Sequence, residues 1–291
     1  MRDDQLQMLI DTRVNRPQAI AEAASNRRRP TALLGDHGRL MMIACDHPAR
    51  GALGVGGDPV AMGDRVDTLD RLVLALSRPG VNGVLGTPDI LEDLLLLGAL
   101  DDKVVVGSMN RGGLQGASFE IDDRFTGYDA ARIAASGFEG GKMLLRFDYE
   151  DPATADTMQA CADAVSDLAD HELMAMVEPF LSHRVDGRVK NELTPEAMTK
   201  VVAISSGLGT TSAYTWLKVP VVDDMERVMA ASTLPALILG GEVGADADAA
   251  FAQWEKALAL PTVMGLVIGR SLLYPPDGDV ASAVDTAVSL L

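Results

Sequence analysis

Six short apolar runs of this chain end in residues able to do chemistry: Cys45-Asp46-His47, Leu145-Arg146-Phe147-Asp148, Val177-Glu178-Pro179, Leu217-Lys218-Val219, Gly240-Gly241-Glu242 and Gly269-Arg270-Ser271. Lys218 is the most informative. A lysine inside the apolar stretch Tyr214 to Val222 is costly to bury as a charge unless it is paired or neutral. Desolvation lowers a lysine's pKa, and the neutral amine is the form that attacks a ketone to give an imine. A structural ion pair with a carboxylate across the same end of the fold is the alternative reading.

Lys142 opens the run Gly141 to Arg146, and period-two alternation sets Lys142, Leu144, Arg146 and Asp148 on one face. If that face points inward, two more cations approach Lys218, where an ammonium disfavours protonation and can hold negative charge on a substrate oxygen. A snorkelling lysine at the strand's N-terminal end is the rival reading of Lys142. Glu178, the one charged residue after the run Leu173 to Val177, is placed to take the proton of the hydroxyl whose collapse breaks a carbon–carbon bond. It serves equally as an ion-pair partner for Lys142 or Lys218. Asp46 is placed to orient a substrate hydroxyl or share that proton, or else to cap a helix.

Gly240-Gly241 and Gly269-Arg270 let the backbone approach an oxyanion closely, and Arg270 adds a charge-assisted fork, so a phosphate site is expected there. His37, His47, His171 and His183 show no HxH or HxxxH spacing and no GxSxG elbow occurs, so neither a metal, nor a cofactor, nor a serine nucleophile is expected.

Residues so placed need strands whose ends converge. Eight apolar runs alternate with helical stretches: Leu40–Cys45, Gly83–Gly86, Lys103–Gly107, Gly141–Arg146, Leu173–Glu178, Thr215–Val219, Ala236–Gly240 and Met264–Gly269. Strands alternating with helices imply a parallel sheet with right-handed crossovers, and eight units imply an α/β fold of the (β/α)8 TIM barrel kind, with its active site at the C-terminal mouth. An open doubly wound sheet is less compatible, since no GxGxxG follows the first run. Ahead of the barrel, expected over residues 39–291, an extension of residues 1–38 carries one or two leader helices. Its Arg27-Arg28-Arg29, beside Pro30, reads as a solvated helix end.

The 291 residues carry a net charge of −17, which argues against nucleic acid or an anionic membrane surface as partner. An anionic substrate can then bind only where local cations reverse the field. Cys45 and Cys161 form no CxxC, which fits a reducing cytoplasm, and no apolar stretch is long enough to span a bilayer. The leader helices and the apolar helix Ile90 to Leu97 are expected to make subunit contacts in a homo-oligomer.

Three segments, Lys142 to Asp148 (KMLLRFD), Val177-Glu178-Pro179 and Leu217 to Val222 (LKVPVV), resemble the tagatose-bisphosphate and sulfofructose-phosphate class I aldolases. Ala44 to His47 and Leu237 to Gly241 resemble the wider group of deoxyribose-phosphate and archaeal-type fructose-bisphosphate aldolases. The likeness runs from about Arg39 to Tyr274. It implies that Lys218 forms the Schiff base, that Lys142, Glu178 and Asp46 are active-site groups, and that Gly269 and Arg270 bind phosphate. As a whole the chain looks similar to the actinobacterial barrels encoded with inositol catabolism genes. That likeness implies cleavage of 5-dehydro-2-deoxygluconate 6-phosphate to dihydroxyacetone phosphate and malonate semialdehyde. A tagatose-, fructose-bisphosphate or sulfofructose-phosphate aldolase, a phosphate-binding isomerase or decarboxylase, and a non-catalytic sugar-phosphate-binding barrel are the alternatives. The chain departs from the pattern at Arg146, where relatives carry an aromatic, and at His183-Arg184. With His47, both Arg146 and His183 are expected to bind the non-phosphorylated part of the substrate.

Overall fold

The computed structural model describes residues 3–35, 37–240 and 247–291. Its strands are β1 (Leu40–Cys45), β2 (Gly83–Gly86), β3 (Val104–Ser108), β4 (Gly140–Phe147), β5 (Met174–Val185), β6 (Arg188–Asn191), β7 (Thr215–Pro220), β8 (Ala236–Leu239) and β9 (Val263–Ile268). All but β6 are parallel, and the pairings β9–β1 and β4–β5 close the ring, so the fold is the expected (β/α)8 barrel.

Residues of one strand alternate between two apolar environments, which is why the runs read as continuously apolar. Met41, Ile43 and Cys45 face the helices, while Leu40, Met42 and Ala44 face the barrel axis and meet Leu85, Val106, Met176, Leu237 and Val267 there. Leu33, Leu34, Trp216 and Met264 pack against this inner cluster. Several returning helices start at side-chain caps, Asp64, Asp129, Thr194 and Asp279, each accepting a backbone N–H of the first turn. Cys45 and Cys161 are both buried and free.

Three local features differ from the sequence expectation. First, β5 runs past Glu178 to Val185 and folds back through Asp186 and Gly187, both at positive φ, onto the antiparallel strand β6. An Asp-Gly turn of this kind matches the right-handed twist of a two-residue hairpin. Second, Arg27 is not solvated: it is 7% exposed, sits 2.8 Å from Glu139, donates to the Lys103 carbonyl at 2.8 Å and lies 5.7 Å from the Phe138 ring centroid. Arg28 keeps an exposed pair with Asp102, and Arg29, itself exposed, reaches the buried Glu139. Third, the apolar face of the helix Pro88–Leu96 is covered within the chain. Its Ile90, Leu91, Leu94 and Leu95 are buried and the leader helix Ala19–Asn26 packs on it, so these apolar side chains are taken up inside the chain. Among the described residues no helix is long and apolar enough to cross a membrane.

Candidate active site

Register sets the chemistry at one end of the barrel. Ser108 on β3 stands opposite Lys142 on β4, and Val177 on β5 stands opposite Leu217 on β7, so Glu178 and Lys218 come one step further along, side by side. Asp46 follows β1 directly. Alternation puts Met143, Leu145 and Phe147 on the helix side, leaving Lys142, Leu144 and Arg146 to face inward.

These side chains form one buried network. Lys218 Nζ lies 2.7 Å from Glu178 Oε1, and Lys142 Nζ donates to the other oxygen of the same carboxylate. Lys142 Nζ also lies 3.3 Å from Asp46 Oδ2. That oxygen accepts from the Arg111 guanidinium and, at 3.1 Å, from Ser108 Oγ, while Arg111 Nε donates to Ser108 Oγ at 3.1 Å. Lys142 is 0% exposed and Lys218 3%, so the snorkelling reading of Lys142 is wrong and Glu178 is the ion-pair partner of both lysines.

Counting charges decides the electrostatics. Asp46 and Glu178 face Arg111, Lys142 and Lys218, so two carboxylates meet three potential cations in a water-poor site. Burial pushes both lysines below their usual range. Arg111 pushes the same way, whereas Glu178 works against it. Burial also raises the Glu178 carboxyl, but Lys142, Lys218 and Arg111 outweigh it and hold it well below the usual carboxylate range. Glu178 is therefore a charged carboxylate. Of the two amines Lys142 is depressed the further, although it touches two carboxylates and Lys218 only one.

Around this cluster lies a second, balanced set. Arg146 grips Asp123 with Nε at 2.8 Å and Nη2 at 2.6 Å, and also donates to the Glu120 carbonyl. The fork expected to bind substrate is thus filled by protein, and it ties the segment between β3 and the helix Ala130–Ala135 across the mouth. Asn110 helps, donating to Leu144 O at 2.6 Å and Asp123 O at 3.0 Å. Arg50 lies 3.6 Å from Glu120 Oε1. His183 is not brought to the cluster. It is exposed on the β5–β6 hairpin opposite Lys190 and lines a separate cavity of about 530 Å3 with Asp148, Tyr149, Asp151, Arg184 and Glu192.

On the β8–β9 side two glycines are required by close packing near the mouth. A Cβ on Gly269 would come within 2.6 Å of Ala44 O and 3.2 Å of His47 Cε1, and one on Gly240 within 2.6 Å of Ile268 Cγ2 and 3.0 Å of Ser271 Oγ. Gly241 lies outside the described residues. Among the described residues, Asp46 Oδ1, His47 Nδ1, Arg50 Nη1, Arg270 Nε and Ser271 Oγ are buried without a hydrogen-bond partner. Burial, followed by Arg270 and Lys218, holds His47 well below its usual range, so it is neutral. A set of unmet polar atoms around a cationic cluster suits a polar, anionic ligand, whatever the net charge of the whole chain.

Arg111, Ser108, Asn110, Glu120 and Asp123 were not among the sequence candidates. A signal existed: the third apolar run ends in Ser108-Met109-Asn110-Arg111, as polar as the strand ends that were singled out.

A family model described as Cgl0159-like matches residues 38–288. The chain belongs to that family. A crystal structure of Cgl0159 from Corynebacterium glutamicum is similar along the whole length, with a TM-score of 0.97 at 53% identity, covering 100% of this chain and 97% of that one. A Schiff-base-forming fructose-1,6-bisphosphate aldolase has a TM-score of 0.66 at 17% identity, covering 93% and 99%. A fructose-bisphosphate aldolase from Slackia heliotrinireducens has a TM-score of 0.61 at 15% identity, covering 99% and 91%. At such identities the likeness is one of fold, and this family member shares the barrel of the Schiff-base class I aldolases. No curated protein matches the chain.

Proposed function

We propose that this protein is a class I aldolase that cleaves a phosphorylated keto-sugar or keto-sugar acid through an imine on Lys218. The observation that carries the reading is the buried Lys218–Glu178–Lys142 bridge, with more cations than carboxylates around it. The Lys218 amine adds to the ketone carbon, and the carbinolamine loses water to give a protonated imine. Glu178 takes the proton of the substrate hydroxyl and the neighbouring carbon–carbon bond breaks. An aldehyde leaves and its bonding electrons enter the imine as an enamine. Reprotonation and hydrolysis by water free the ketone and restore the amine. Lys142 holds charge on the hydroxyl oxygen, and Asp46 Oδ1, unpaired and buried, accepts from a second hydroxyl.

Arg270 and the backbone at Gly240, Gly241 and Gly269 hold the phosphate, with Ser271 as a further donor. His47 lies between that end and Lys218. With Arg146 filled by Asp123, the further cation is Arg50, whose Nη1 has no hydrogen-bond partner and lies 3.6 Å from Glu120 Oε1; it suits a second anionic end, such as the carboxylate of 5-dehydro-2-deoxygluconate 6-phosphate or the second phosphate of a ketose bisphosphate. The division into residues 1–38 and 39–291 belongs to the same reading. It is supported by a family match that starts at residue 38, although Arg27 fastens the leader to the barrel.

The test is exchange of the prochiral C3 proton of dihydroxyacetone phosphate with deuterated solvent, followed by proton NMR. Wild type is expected to exchange it and Lys218→Met to lose exchange by at least a thousandfold; equal exchange in both would remove the imine mechanism.

A further inference from the structure

Arg111 belongs to the buried cluster and to no step of the proposed reaction. We propose that it is the positioning residue that keeps the Lys218 amine reactive, by fixing Asp46 through one oxygen and adding a positive charge that the site cannot shed. This rests on the imine reading and extends it.

The first part of the argument is geometric. Asp46 Oδ2 accepts from Arg111, Ser108 and Lys142, and Oδ1 has no partner among the described residues. Three donors on one oxygen set the carboxylate's rotation, so the other oxygen stays presented. Arg111 reaches this point because its own segment is fastened by the Asp123–Arg146 fork and by Thr126 Oγ1, which accepts the Arg111 N–H at 3.2 Å.

The second part is charge. The groups that act on Lys218 are Glu178 from β5, Lys142 from β4, His47 from the end of β1, Arg111 from the segment after β3, and Arg270 after β9; Asp46 enters through Lys142, and Arg50 through His47 and Glu178. An arginine does not release its proton in a protein, whereas a buried lysine does. With His47 neutral and the arginines fixed in charge, the excess over Asp46 and Glu178 is relieved at a lysine. Arg111 is the cation that makes three face two in the inner cluster; without it, Lys142 and Lys218 match Asp46 and Glu178 one for one, and Lys218 holds its proton to higher pH.

The test follows borohydride-trapped adduct formation with dihydroxyacetone phosphate against pH, by intact mass, in wild type, Arg111→Gln, Arg111→Lys and Asp46→Asn. Arg111→Gln is expected to move the midpoint of the pH profile up by about one unit, so that trapping falls about tenfold at neutral pH and returns at alkaline pH. Arg111→Lys, whose amine can itself shed the excess proton, shifts the midpoint in the same direction as Arg111→Gln, and Asp46→Asn moves it down. An Arg111→Gln loss of the same factor at every pH, with the midpoint unmoved, overturns the proposal and leaves the imine reading intact. Should Arg111→Gln not fold, Asp46→Asn decides: a midpoint that stays or rises overturns it. No adduct in wild type at any pH would overturn the imine reading and this proposal together.

Discussion

Glu178→Gln separates imine formation from bond cleavage. The carboxylate serves two amines at once, Lys218 Nζ at 2.7 Å and Lys142 Nζ on its other oxygen. Breaking a buried ion pair from one side typically costs about 3–5 kcal/mol, and here one carboxylate holds two amines. The amide is nearly isosteric and keeps a hydrogen bond to one lysine, so a folded variant of lowered melting temperature is expected. Its loss of charge also removes the group that most favours protonated Lys218, so the amine becomes more readily neutral and imine trapping persists to lower pH than in wild type. Cleavage fares differently, because the proton acceptor is gone, and general-base assistance is worth about 10²–10⁴-fold. The assays are kcat for aldehyde release and, separately, borohydride trapping of the same preparation. A kcat within about threefold of wild type would refute the role of Glu178, and a folded variant that can no longer be trapped would refute its separation from imine formation.

Three further outcomes follow from the geometry. Arg270→Gln should raise KM for phosphorylated ketones at least tenfold while barely changing the trapping of unphosphorylated dihydroxyacetone, a comparison that steady-state kinetics and intact mass provide. Arg27→Ala leaves buried Glu139 with Arg29 as its remaining arginine partner, and should lower unfolding free energy by about 1–3 kcal/mol in urea titrations without changing kcat. His47 has a folded pKa well below its ordinary value, so the unfolded chain takes up its proton first as pH falls. The stability tied to neutral His47 is whole above the unfolded pKa of about 6.5 and is lost as pH drops below it; the fall in melting temperature between pH 7 and pH 5 should therefore be shallower in His47→Asn.

What the sequence discloses here follows from what strands do. Leu40–Cys45 and Gly83–Gly86 appear in the fold with the boundaries read from the apolar runs, because residues buried on both faces leave no other pattern. Lys218, Lys142, Glu178 and Asp46 stood out as charges at the ends of such runs, and the fold brings the four together. Arg111, Asp123 and Glu120 were less legible because they lie on a long irregular segment, where periodicity says nothing about direction. Arg146 shows a second limit: alternation gives the face of a side chain, but its partner, Asp123, comes from another part of the chain. Arg27 hid for a related reason, since three arginines beside a proline read as a solvated end until Glu139 is seen opposite. The β5–β6 hairpin was within reach, for Asp186-Gly187 is a turn signal on its own terms.

The most direct measurement of the central claim is intact-mass spectrometry after borohydride reduction in the presence of dihydroxyacetone phosphate, with peptide mapping of the product. The account predicts one reduced adduct per chain, on Lys218, absent from Lys218→Met. An adduct on Lys142 with none on Lys218, or binding of the ketone with no adduct anywhere, would contradict it.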